Sequence, residues 1–257
     1  MQTKGLITIA IGKKYVKQAI YLSKSCVLNT PEITRAVITN LPDLLKEYYN
    51  IVIPWNNEDD PFSIKTRLYE FSPFDYSLFL DADSLVYNNI EEYWNYLEEK
   101  PYIYEGAKLT EGFWYFDIEK TRHLIQTEWI PKFNSGMLLF KKCEEAKNIF
   151  DIAYYYFLNH KKEGLEIPFF RGNHYPDEPS FAVSLAKNNI EPVEDYGHFS
   201  RTLIKAKKIK LNIKKKYTSI FKNGKTMHPL VIHFCGRKGG LYYLKEKLPL
   251  FFNFNFF

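Results

Sequence analysis

Short apolar runs alternate with longer helix-patterned stretches through the first third of the chain, and this alternation restricts the fold more than any single motif. Leu6 to Ile11 reads as a buried strand that ends at Gly12, and Tyr15 to about Leu28 as a helix. Ile33 to Thr39 is a second β-rich run, and Pro42 opens a second helical stretch. Tyr49 to Pro54 is a third strand. Ile64 to Phe71 looks helical and stops before Pro73, and Tyr76 to Leu80 is a fourth strand with Asp81 at its end. Such spacing predicts an α/β domain with a mainly parallel central sheet flanked by helices. Ligands bind such sheets outside the carboxyl ends of the strands, where Gly12, Thr39, Asn40 and Asp81 fall.

The second half is less regular. Phe133 to Phe140 reads as a strand, Cys143 to His160 as a long helix and Pro179 to Lys187 as a shorter one. Residues 204–225 are strongly basic, with an alternation that suits an exposed strand. No internal repeat or Gly/Ser linker breaks the chain, and 257 residues suit one domain. The net charge of +5 fits an anionic substrate or an anionic membrane surface and is too small to imply nucleic acid. Cys26, Cys143 and Cys235 form no metal-type pair, which predicts a reducing compartment. With neither a secretory leader nor an apolar span in view, the expected location is cytoplasmic, and peripheral contact with the inner face of a membrane is left open.

The sharpest local signal is Leu80-Asp81-Ala82-Asp83. An apolar strand delivers two carboxylates, one residue apart, to a strand end, and in a continuing strand they point the same way. Adjacent carboxylates repel and raise each other's pKa. A hard divalent cation such as Mn²⁺ or Mg²⁺ relieves that repulsion, and a diphosphate can complete its coordination.

The segment Lys65 to Val86 (KTRLYEFSPFDYSLFLDADSLV) resembles the GT-A-fold glycosyltransferases of the glycogenin and bacterial lipopolysaccharide galactosyltransferase type. Further matches follow in the same order. Phe133-Asn134-Ser135-Gly136 is similar to the F-N-S-G strand of that family. Asp177-Glu178 stands where D-Q usually precedes a helix, and Val231 to Lys238 resembles the H-F-x-G-x-x-K-P-W element. Glu178 replaces the usual glutamine, Pro-Trp is missing, and the lysine comes one residue early.

The resemblance implies a single Rossmann-like GT-A domain over residues 1–240, followed by an aromatic-rich tail over 241–257 that suits a surface or membrane. It implies Asp81, Asp83 and His233 as metal ligands. Ala10, Gly12, Tyr15 and Thr39 would line a nucleoside pocket, and Lys65, Asp81, Ser135, Gly236 and Lys238 would contact the donor, with Lys238 on the diphosphate. Asn134, Asp177 and Glu178 would face the reacting centre. The implied activity is metal-dependent transfer of a sugar from a nucleotide-sugar, with a UDP-sugar expected, to an acceptor hydroxyl on a saccharide, lipid-linked molecule or protein. Cell-surface polysaccharide or glycolipid synthesis is a fitting setting. Retention of anomeric configuration is implied, by a front-face route or through a carboxylate. Residues 105–130, rich in aromatics, are a candidate acceptor side. Two alternatives stay open: a nucleotidyltransferase of related fold, which would need more than Gly12-Lys13-Lys14 as its phosphate loop, and a non-catalytic sugar- or membrane-binding relative.

Overall fold

The computed structural model describes residues 2–56, 60–165, 167–168 and 175–252. The N-terminal apolar runs form strands and the patterned stretch after the first forms a helix: β1 (Lys4–Ala10), α1 (Lys13–Asn29), β2 (Thr34–Thr39) and β3 (Ile51–Pro54). Pro42 begins only a 3₁₀ turn, Pro42–Leu44, instead of the expected helix. The residues after it fold as turns that bury Leu45 and Tyr49, and the Tyr49 hydroxyl donates to the Ala19 carbonyl on α1. The helix expected over 64–71 is two short ones, α2 (Pro61–Thr66) and α3 (Leu68–Phe71), separated at Arg67. Asp60 sets the earlier start by accepting the Phe62 N–H, with proline at the first helical position.

The chain continues through β4 (Tyr76–Leu80), β5 (Ser84–Val86), α4 (Tyr93–Glu99), β6 (Tyr102–Ile103), β7 (Gly106–Leu109) and α5 (Ile118–Ile125). The single strand expected over 133–140 is two, β8 (Ile130–Phe133) and β9 (Met137–Lys141). β8 pairs with β7, whereas β9 enters the central sheet beside β4. The break falls at Asn134, whose side-chain oxygen accepts the Gly136 N–H in a local turn. Then come α6 (Glu144–Asn159), α7 (Asp177–Lys187), β10 (Arg201–Thr202), β11 (Lys207–Asn212), β12 (Tyr217–Lys222), β13 (Lys225–Met227), β14 (Val231–His233) and α8 (Gly236–Phe252).

The central sheet has the order β3-β2-β1-β4-β9-β6. β1 to β4 are mutually parallel, and β9 runs antiparallel between β4 and β6. Helices cover both faces, so strand residues such as Leu6, Ile7, Leu78 and Phe79 are buried on either side. Phe150 of α6 and Phe181 of α7 pack over one face; Leu22 and Cys26 of α1 and Trp94 of α4 pack over the other. A small sheet, β10-β14-β5, stands at the end of β4. The basic segment is an antiparallel sheet, β11-β12-β13, rather than one strand.

α8 crosses the boundary expected at 240/241. It buries Tyr243 and Leu250, and Glu246 accepts from the Tyr87 hydroxyl and the Ile213 N–H. Residues 253–257 of the expected tail lie outside the described residues. Among the described residues no helix is long and apolar enough to cross a membrane.

Gly5 marks a close contact under the sheet, because a Cβ there would lie 2.3 Å from the Phe74 ring. Gly5→Ala is expected to cost about 1–3 kcal/mol by overpacking. Urea denaturation checks this, and adding Phe74→Leu should recover part of the loss.

Candidate active site

Asp81 follows the last residue of β4, and the chain turns at once. The Ser84 N–H donates to the Asp81 carbonyl at 2.9 Å before β5 begins. The two carboxylates therefore converge across a turn, not along a continuing strand as their spacing suggested. The Asp81 N–H donates to the Gly136 carbonyl at 3.0 Å, which joins this turn to the Asn134 turn. β14 pairs antiparallel with β5 and sets His233 opposite Ser84. The Phe234 N–H then donates to the Asp83 carbonyl at 3.0 Å.

This pairing brings His233 to the aspartates from far along the chain. Its Nε2 lies 3.1 Å from Asp83 Oδ1 and 3.5 Å from Asp81 Oδ2. One ligand atom from each residue lies within 4.8 Å of the others. Two carboxylate oxygens with one imidazole nitrogen fit a divalent cation, and the nitrogen favours a transition metal over Mg²⁺. Three protein ligands leave coordination positions for a substrate.

Lys65 of α2 enters from the other side. Its Nζ is 3.0 Å from Asp81 Oδ1, 3.3 Å from Asp177 Oδ2 and 3.4 Å from Ser135 Oγ. Burial acts to lower the Lys65 pKa, but the Asp177 and Asp81 charges outweigh it and raise the pKa. Burial raises that of Asp81, with Asp83 and Asp177 adding to the effect against Lys65 and His233. For Asp83 burial also raises, yet the His233 hydrogen bond and charge prevail and lower it. His233 is the reciprocal case: burial lowers, while the Asp83 hydrogen bond and both aspartate charges raise its pKa above the ordinary imidazole value.

Asp177 and Glu178 open α7, where the helix N-terminus favours negative charge. Glu178 Oε1 accepts from Asn134 Nδ2 at 2.9 Å and from the Ser135 N–H at 3.1 Å. Its Oε2 accepts from the Tyr115 hydroxyl at 2.7 Å. Burial, then the Asp177 charge, raises its pKa against these donors.

These groups line one cleft of about 540 Å³. Of the expected residues it gathers Tyr15, Lys65, Asp81, Asp83, Asn134, Ser135, Asp177, Glu178 and His233. Ala10, Gly12, Thr39, Gly236 and Lys238 are not among its lining residues. The Thr39 hydroxyl is buried and donates to the Ala10 carbonyl, joining β1 to β2. The Gly12 N–H donates to Asn40 Oδ1, Gly236 begins α8 at φ 74°, and Lys238 Nζ donates to the Ala206 carbonyl. Ile9, Ile11, Phe62 and Cys235 line the cleft without having been singled out, and Tyr115 lines it from the segment 105–130 expected on the acceptor side. Phe62 was findable, since it lies one helical turn before Lys65. Tyr115 carries no periodic signal. A separate groove of about 560 Å³ runs beside α3 and α6; in it Arg67 pairs with Glu70 and Lys147 with Asp151, while Lys142 lies over the Tyr69 ring.

The mainly parallel sheet covered by helices on both faces is a GT-A glycosyltransferase fold, with the Asp81–Asp83–His233 cluster at the end of β4. Among solved structures it is similar to the galactosyltransferase LgtC in complex with donor and acceptor sugar analogs, at 14% identity over 98% of this chain and 97% of that one, with a TM-score of 0.63. A glutamine-to-glutamate active-site mutant of LgtC matches at 17% identity over 91% and 88%, with a TM-score of 0.58. The bifunctional glycosyltransferase WbbM matches at 9% identity and a TM-score of 0.60; 99% of this chain covers 50% of that one. No family model and no curated protein sequence matches the chain.

The His233 shift gives a pH dependence of definite sign. A raised folded pKa means that its pairing stabilises the metal-free protein fully below the unfolded imidazole value, and that this stabilisation fades as pH rises through the folded value. A divalent cation held through His233 would need the unprotonated nitrogen, so stabilisation by such a cation, tested with Mn²⁺, should grow with pH. Thermal melting with and without Mn²⁺ between about pH 6 and 9 should show a widening gap. His233→Ala should flatten it.

Proposed function

We propose that the protein is a divalent-metal-dependent glycosyltransferase that moves a sugar from a nucleoside-diphosphate sugar, a UDP-sugar in the first instance, to an acceptor hydroxyl. The observation that carries this reading is the union, in one cleft, of Asp81, Asp83 and His233 with Lys65, Asn134, Ser135, Asp177 and Glu178. A divalent ion held by the aspartates and the histidine supplies positive charge where a leaving diphosphate develops negative charge. Lys65 pairs with both Asp81 and Asp177 and offsets part of their charge. Ile9, Ile11, Tyr15 and Phe62 give one end of the cleft an apolar and aromatic lining that suits a nucleoside.

Glu178, Asn134 and Ser135 form the polar wall that suits the sugar. Both oxygens of Glu178 are engaged by donors, which disfavours it as a covalent nucleophile and favours a front-face route with retention. In that role the carboxylate stabilises positive charge at the anomeric carbon.

Donor hydrolysis tests the reading directly, with UDP-glucose, UDP-galactose, their N-acetyl forms and GDP-mannose, each with Mn²⁺. One or more should turn over, and chelator should stop it. Asp83→Asn should abolish turnover and, because Asp83 pairs with the buried His233, should also lower metal-free stability at neutral pH. Turnover that survives chelator or this substitution would overturn the metal-dependent reading. Heat protection by nucleoside triphosphates, but not by these donors, would favour nucleotidyl transfer.

A membrane face belongs to the same proposal. Leu241, Leu244 and Leu248 are exposed on α8 at helical spacing, so they share one face. Beside them, Ile204 and the segment 205–216 expose Lys205, Lys207, Lys208, Lys210, Lys214, Lys215 and Lys216 without an intervening acid. Lys238 bonding to the Ala206 carbonyl ties the helix to this segment. Each lysine near an anionic surface contributes about 1 kcal/mol. Sedimentation with vesicles should show salt-sensitive binding to phosphatidylglycerol-containing membranes that Leu244→Glu with Leu248→Glu weakens. Equal sedimentation with neutral and anionic vesicles at low salt would reject it.

A further inference from the structure

We propose that Asn134 is a positioning residue that sets which nitrogen of His233 carries the proton, and that the same amide ties the metal end of the cleft to Glu178. The proposal rests on the metal-dependent reading above for its purpose, though not for its geometry.

The side-chain oxygen and nitrogen of an asparagine are assigned by their partners. Two neighbours fix this amide independently. The Gly136 N–H, a donor, lies 3.3 Å from the amide atom that faces His233, which must therefore be oxygen. The other amide atom lies 2.9 Å from Glu178 Oε1, an acceptor that also receives the Ser135 N–H, so it must be the NH₂. Asn134 Oδ1 then sits 2.9 Å from His233 Nδ1. Two acceptors cannot bond each other, so Nδ1 carries a hydrogen.

A neutral imidazole has only one N–H. Nε2 also faces an acceptor, Asp83 Oδ1 at 3.1 Å, so the cationic ring holds a hydrogen on each nitrogen. In the neutral ring with its hydrogen on Nδ1, Nε2 has its lone pair and is aimed at Asp83 and Asp81. The two aspartates alone favour the opposite tautomer, because an N–H on Nε2 would donate to Asp83 Oδ1 at 3.1 Å. That tautomer cannot ligate a metal through Nε2. Asn134 therefore opposes the preference of the metal site's own carboxylates and pre-organises the ligand. Gly136 allows the approach, since a Cβ there would lie 2.3 Å from His233 Nδ1 and 2.8 Å from Asn134 Oδ1.

The coupling runs through one rigid group. An amide that rotates to follow Glu178 turns its oxygen away from the imidazole. In the wild type, one amide therefore makes both the contact to Glu178 and the contact to the His233 ring.

The test reads the tautomer without metal or donor. ¹⁵N-edited NMR of the histidine rings is recorded at a pH where the imidazoles are neutral, with the His233 signals identified by their loss in His233→Ala. The expected wild-type state is Nδ1–H, shifting toward Nε2–H in Asn134→Ala. Calorimetry without donor should show Mn²⁺ affinity lowered about 10- to 100-fold in that variant. Asn134→Asp keeps an acceptor for Nδ1 but loses the donor to Glu178. It should hold the Nδ1–H state and most of the Mn²⁺ affinity while losing turnover. An unchanged tautomer with unchanged Mn²⁺ affinity in Asn134→Ala, or an Nε2–H wild type, would overturn the proposal. If Asn134→Ala fails to fold, the wild-type tautomer and the Asn134→Asp comparison still decide it. Absence of donor turnover in the wild type would count against the transferase reading and leave the tautomer result standing.

Discussion

A lysine buried among carboxylates holds the cleft together. Lys65 reaches Asp81 at the end of β4 and Asp177 at the start of α7, so one ammonium group ties the sheet to two helices. Removing one partner of such a buried pair typically costs about 3–5 kcal/mol, because the remaining charge is left unpaired. The cluster is deliberately unbalanced. Asp81, Asp83 and Asp177 share the site with Lys65 and His233, and the Asp81 pKa stays raised although Lys65 and His233 act to lower it. The Lys65 pKa is raised as well, which fits a cation outnumbered by acids. A divalent ion would offset the excess negative charge.

The parts of the fold visible in the sequence were those set by burial on both faces. β1, β2 and β4 are apolar runs because helices cover the sheet above and below, and such runs need no partner to be recognised. The departures occur where side-chain bonds override the pattern. Asp60 starts α2 early, and the Asn134–Gly136 turn splits an apolar run between two sheets. Pro42 signals a helix start, but burial of Leu45 and Tyr49 leaves only a turn.

The same division runs through the site. Asp81, Asp83 and His233 were legible from ordered motifs, although their convergence depends on a β5–β14 pairing that no local pattern announces. Lys65 was expected as a donor contact, and its pairing with Asp177 adds a structural role. Tyr115 lay within a segment whose aromatics have no period, and only the folded chain shows its hydroxyl on Glu178. Lys238 was expected on a diphosphate because of its place in a motif. In the folded chain its amine, on a helix that begins at Gly236, donates to the Ala206 carbonyl.

The clasp between β5 and β14 also sets a schedule for biosynthesis. Asp81 and Asp83 leave the ribosome long before His233, and at about 5–20 residues per second the delay is on the order of ten to thirty seconds. During that interval the nascent chain carries the acid pair without its imidazole. A half-made chain therefore lacks the complete Asp81–Asp83–His233 cluster, and the three groups come together only once β14 has closed onto β5.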